Sequence, residues 1–131
     1  MILKETNYAI ISINQEKSIG IIKWMGKCTS EKYREAFLFL LDNQKIYGLK
    51  RFLSDVRDQG IISPDDRKWF ENVALPKSIE LGLKAAAVIF IGNVFKKYYL
   101  NVIIQATNKF NLPVKLFIDQ ESAEDWLITR N

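Results

Sequence analysis

The chain has 131 residues, 48% of them apolar and 26% charged, with 19 Lys and Arg against 15 Asp and Glu, no histidine and one cysteine. That is the length and composition of one globular domain, 1–131, with a single core, and it excludes a disordered chain, an internal disulfide and a histidine-based active site. The net charge of +4 is spread among acids along the sequence, which argues against nucleic acid or a membrane surface as partner.

Tyr8 to Ile13 alternates around Ala9, Ile11 and Ile13, and Ile19 to Trp24 is rich in branched residues. The polar run Asn14-Gln15-Glu16-Lys17 between them predicts an antiparallel hairpin. Gly26 closes the second strand, and Thr29 or Ser30 caps a helix over Glu31 to Asn43 whose stripe includes Tyr33, Phe37, Leu40 and Leu41. Tyr47-Gly48 breaks that helix, Leu49 to Asp55 reads as a buried strand, and Asp55 to Gly60 reads as its exit into a loop. Ser63-Pro64-Asp65-Asp66 is a capping serine, a first-turn proline and early acids. The helix that follows carries Trp69, Phe70, Val73 and Ala74 inward, and Pro76 is expected to end or kink it near Leu75.

Ala85 to Ile91 is an unalternating apolar run of seven residues, too short for a bilayer span of about 20 and suited to a strand covered on both faces. Phe95 to Lys109 has helical spacing, Val114 to Ile118 is a last strand, and Glu121 to Ile128 is a closing helix with Ala123, Trp126 and Leu127 inward. Strands separated by helices join in parallel through right-handed crossovers. The expected fold is therefore α/β, a mixed five-stranded sheet in which an N-terminal antiparallel hairpin precedes three parallel strands, flanked by about four helices. Ligands of such sheets use the crevice beyond the carboxyl ends of the strands, here Asp55 to Gly60, Gly92 to Phe95 and Asp119 to Ser122.

Few residues carry chemistry. Asp55 and Asp58, with Asp65 and Asp66, suit a hard cation, a carboxylate pair for acid–base work, or plain loop and helix-start hydrogen bonding, and the last reading needs no third ligand. Arg57 offers an anion contact, opposed by its own acidic neighbours. Trp24, Trp69 and Phe95 line a pocket on one reading and pack in the core on the other. Cys28 sits near a helix start beside Lys27, a setting that lowers a thiol pKa, but no base or resolving cysteine accompanies it. Lys96-Lys97-Tyr98-Tyr99 interleaves charge with aromatics and equally makes a helix stripe, one that a homodimer would bury. No phosphate-binding glycine pattern is present, and no cofactor or metal is implied.

Several of these features together give the chain a resemblance. Trp24 and Gly26 close the second strand, Asp55 and Arg57 end the third, and Ser63-Pro64-Asp65, Trp69, Pro76, Gly82, Ala87-Val88 and the Ala-x-x-Trp-Leu of Ala123 to Leu127 follow in order. In this arrangement the chain resembles the STAS/SEC14-type domains of the SpoIIAA-like family of small bacterial α/β proteins. The resemblance implies that fold over nearly the whole chain. It also implies one of two roles: a regulatory antagonist switched by a serine after the third strand, or a larger lipid-enclosing carrier. Val56 stands after Asp55 where the antagonists place their serine.

The expected function is a non-enzymatic regulatory or scaffold domain that binds a protein partner, including its own copy. The alternative is a small hydrophobic-ligand or lipid-binding module using the rim near Trp24, Arg57, Trp69 and Phe95; Asp55 and Asp58 are further ligand or partner candidates there, and a small anionic ligand is a further partner class. The N-terminal Met-Ile-Leu-Lys-Glu-Thr-Asn shows no secretory leader, so the cytoplasm is the expected location.

Overall fold

Six strands form one sheet in the order of the chain, β1 (Ile2–Glu5), β2 (Ala9–Asn14), β3 (Ile19–Gly26), β4 (Arg51–Gln59), β5 (Ala85–Ile89) and β6 (Val114–Phe117). The structure is a computed structural model that describes residues 1–92 and 94–130, with backbone alone at positions 94–96, 98, 99, 103 and 106. The first three strands pair antiparallel and the last three continue in parallel from β3. The architecture is thus the α/β layering expected from the sequence, an N-terminal antiparallel hairpin leading into parallel strands. β1 is one strand more than the periodicity predicts. Its Ile-Leu-Lys-Glu run is four residues long and almost wholly exposed, so no alternation announces it.

The connections follow from local chemistry. Thr29 caps α1 (Ser30–Tyr47), its hydroxyl accepting from the Lys32 N–H at 3.2 Å, and Gly48 ends the helix in the left-handed conformation at φ 64°. Ser63 caps α2 (Pro64–Trp69) by accepting from the Asp66 N–H at 3.1 Å. Pro76 does not stop this helix. α2 runs through one π-helical stretch, Phe70–Ala74, directly into α3 (Leu75–Glu80). There the Leu75 N–H reaches back five residues to the Phe70 carbonyl, and the widened turn relieves the crowding that the proline ring imposes on the turn before it. α4 (Val94–Asn108) and α5 (Gln120–Ile128) complete the chain, the latter capped by Asp119 accepting from the Ser122 N–H at 2.7 Å. No helix among the described residues is long and apolar enough to cross a membrane.

β4 is longer than its sequence suggests. It continues through Gln59, and the stretch from Asp55 that reads as a loop pairs instead with β3, Asp58 opposite Met25 and Gln59 opposite Gly26. Between Lys23 and Met25 the register slips, so that β4 carries one extra residue and both Asp55 and Val56 are buried in succession.

Over β4 and β5 the two faces of the sheet are closed unequally. On one, α5 lays Ala123 and Leu127 against Ile19, Leu53, Ala85, Ala87 and Ile89, and all seven are fully buried. On the other, α1 covers β2 and β3 with Tyr33, Ala36, Phe37 and Leu40 over Ala9, Ile11, Ile22 and Trp24. The same face of β4 to β6 shows Phe52, Ser54, Ala86, Val88, Val114 and Leu116 only half-buried. Identical truncations should register this difference. In urea unfolding, Leu53→Ala is expected to cost about 3 kcal/mol and Leu116→Ala about 1 kcal/mol. Equal costs would contradict the unequal closure.

Candidate functional site

Strand alternation sends neighbouring side chains of β4 to opposite faces. Leu53 and Asp55 face α5, while Phe52 and Ser54 face α1 and α4. The half-buried face is the floor of a cleft of about 110 Å³. Its walls are Phe37 and Leu40 of α1, Phe70 and Ala74 of the π-helical stretch, and Leu100 and Ile104 of α4. At the closed end of α1, Gly20 leaves room that a side chain would take: a Cβ there would lie 3.2 Å from Leu40 Cδ1 and 3.3 Å from Leu49 Cδ1. The space is comparable with the cavity of about 150 Å³ that admits benzene, and below the roughly 300 Å³ at which drug-sized ligands begin.

The residues singled out from the sequence separate into two groups. Trp24 lines the cleft, 2% exposed, its ring stacked on Tyr33 at 5.1 Å with 24° between planes and 5.5 Å from Phe37. Trp69 joins the outer edge of the same aromatic group, 6.4 Å from Tyr33 and 6.2 Å from Phe37, with the Arg34 guanidinium 5.4 Å above its ring. It lies beside the cleft and is half-buried. The Phe95 side chain lies outside the described residues.

Asp55 and Arg57 sit on the opposite face. Asp55 is 3% exposed and bound twice by Arg57, Nε to Oδ1 at 3.0 Å and Nη2 to Oδ2 at 2.7 Å, with the Arg57 N–H adding a third bond to Oδ1 at 3.2 Å. Burial pushes the Asp55 carboxyl up. The Arg57 hydrogen bonds and charge, helped by Lys23, outweigh it and hold the carboxyl below its ordinary value. Arg57 is raised in turn, chiefly by its hydrogen bond to Asp55, against some desolvation, with Asp58 and Asp119 adding negative charge nearby. An anion meets two further acids here beside an arginine already engaged, so the geometry works against an anion site. Asp58 itself is exposed. Among the described residues no group of three or more acidic or thiol side chains is placed to hold a metal ion. Cys28 runs opposite to a reactive thiol: burial first, then the charge of Asp66, pushes its pKa up against the opposing pull of Lys32.

Two interactions were not legible in the sequence. Asp66, 5% exposed, accepts from Ser30 Oγ at 2.8 Å and from Arg34 Nε at 3.2 Å, which ties the start of α2 to the start of α1. Gln44, also 5% exposed, joins α1 to α3 through Ser78 and lines the cleft. Both are polar residues on helices, where composition alone reads a solvated face. The only early signal for the first is the Ser30 and Arg34 spacing, which places both side chains on one side of α1.

No family model and no curated protein matches the chain. Among solved structures it is similar to an uncharacterized protein of the DUF3478 family with a SpoIIAA-like fold, from Shewanella loihica PV-4. The TM-score is 0.59 at 22% identity, covering 95% of this chain and 97% of that one. The chain has a SpoIIAA-like fold.

The Asp55–Arg57 pair makes stability depend on acid. The folded-state carboxyl is lowered, so its contribution is complete above the unfolded value of about 4 and is lost as pH falls through the folded value. Urea midpoints measured from pH 6 down to pH 2 are expected to fall less steeply for Asp55→Asn than for the unaltered chain. Parallel slopes would remove the pair from this account. Arg57→Ala, which strands a buried carboxylate, is expected to cost about 2 kcal/mol at neutral pH, a figure reduced for the partial exposure of the arginine.

Proposed function

We propose that this chain is a non-enzymatic binding domain that houses a small apolar molecule in the cleft over β4, β5 and β6. The observation that carries this reading is the floor itself. Phe52, Ala86 and Val88 are apolar, sit on the interior strands β4 and β5 and are left half-buried, while their neighbours Leu53, Ala85, Ala87 and Ile89 on the other face are sealed by α5. A domain that simply needed a core gains from closing both faces alike, at about 25 cal/mol for each Å² removed from water. The cleft is mostly apolar with a few polar groups, which is the usual make-up of small-molecule sites. The non-enzymatic reading rests on the chemistry of the residues present: no histidine, a thiol pushed away from its reactive form, and a central aspartate saturated by its arginine.

Methyl NMR of the labelled chain titrated with benzene tests this. Saturable shifts are expected at Val88, Leu100 and Ile104, and Ala86→Phe, which fills the floor, should abolish them. Unchanged spectra at millimolar benzene would remove the cleft as a ligand site.

A second reading, contact with a protein partner, is favoured by the rim beyond the parallel strands. Ile61, Ile91 and Ile118 follow β4, β5 and β6 in turn and are 90%, 65% and 73% exposed. Apolar side chains repeated at successive strand ends suit a partner surface better than solvent. With a second copy as that partner, sedimentation velocity should show association rising with concentration, abolished in Ile91→Glu/Ile118→Glu. A monomer across the range in the unaltered chain would exclude the self-partnered form.

A further inference from the structure

Resting on the cleft reading above, we infer that the molecule it takes is uncharged and carries an oxygen acceptor that Gln44 recognises. Gln44 is fixed by two bonds to Ser78: its Nε2 donates to the Ser78 carbonyl at 3.0 Å, and its Oε1 accepts from Ser78 Oγ at 2.7 Å. A backbone carbonyl can only accept, so the amide has one orientation. An amide nitrogen has two N–H donors, and the second has no acceptor among the described residues, on a side chain 5% exposed that lines the cleft. Buried donors are rarely left unmatched, and one held rigidly at a cleft wall selects a ligand that supplies the acceptor.

Two further features set the class. Ser54 on the floor of β4 has a hydroxyl with no hydrogen bond among the described residues, so it can accept a hydrogen bond from a ligand or donate one. The only charged side chain lining the cleft among the described residues is Arg51, and its guanidinium is engaged by the carbonyls of Lys17 and Arg130. An ionised ligand would lose its hydration and gain no counter-charge. The size of the space, about 110 Å³, holds a single ring or a short branched chain. The occupant is therefore a neutral, ring-sized molecule with one hydroxyl or carbonyl oxygen.

Phenol, toluene and benzoate discriminate these terms, since the first two differ only by hydroxyl against methyl. Calorimetric or NMR titration of the full chain at pH 7 is expected to show phenol bound within about threefold of toluene or tighter, although water retains phenol more strongly. Benzoate should not bind at concentrations that saturate phenol. Gln44→Leu is expected to weaken phenol about tenfold and to leave toluene within about twofold. Because that variant deprives Ser78 of its acceptor, Gln44→Leu/Ser78→Ala supplies the same comparison if the single variant does not fold. In the unaltered chain, the side-chain amide signals of Gln44 should shift with phenol and stay in place with toluene. Phenol bound more than threefold weaker than toluene, an amide signal indifferent to phenol, or comparable binding of benzoate would overturn the assignment while leaving the cleft a ligand site. Failure of all three probes to bind would take the cleft reading down with it.

Discussion

The alternation of β4 is the constraint on which the rest of the structure depends. Because successive side chains leave a strand on opposite faces, Leu53 and Asp55 are committed to the α5 side and Phe52 and Ser54 to the cleft side. The strand is central, paired in parallel with β3 and β5, so neither set can escape to solvent at an edge. A slip of one residue would bring the Asp55 carboxylate to the apolar floor and Phe52 against α5. The bonds between Asp55 and Arg57 oppose such a slip, and the extra residue after Asp55 confines the irregularity to the end of the strand beyond the reach of β5.

Closure of one face follows from small residues. Ala85 and Ala87 on β5, with Ala123 on α5, let that helix approach the sheet closely enough for Leu127 to be fully buried. The opposite face is spanned by three helices of different origin, α1 over the antiparallel half and the α2–α3 unit with α4 beside it. The aromatic group of Trp24, Tyr33, Phe37 and Phe70 fills the junction, with Phe37 and Phe70 centred 5.0 Å apart. The π-helical stretch sits at that junction, and a π turn inside a helix is a frequent companion of functional sites.

Local signals in the sequence were the dependable ones. Ser63-Pro64 marks the start of α2 because capping is decided within four residues, and the Asn14 to Lys17 turn marks the hairpin for the same reason. What failed had its cause farther off. The stretch after Asp55 reads as loop, but it extends the strand as far as Gln59 and pairs only with β3, where Arg57, Asp58 and Gln59 keep contact with solvent. Pro76 reads as an end or a kink near Leu75, and the helix does not end there: a wide turn ahead of the proline carries it into α3. Taken from the sequence, the strand ends make one crevice that groups the candidate residues. The strand's faces instead divide Trp24 from Asp55 and Arg57, a division that needs the helix placements as well as the alternation. Gln44 and Ser54 carried no sequence signal, since an amide on a helix and a serine in a strand acquire meaning only when a cavity lies beside them.

The central claim is that over β4 and β5 one face of this sheet is sealed and the other holds open apolar space. Xenon under moderate pressure tests it directly, since the atom enters empty apolar cavities and shifts the methyl signals lining them. The expected result is saturable shifts at Ala86, Val88 and Leu100, with Leu53, Ile89 and Leu127 unmoved. Equal shifts on both faces, or none on either, would contradict the account.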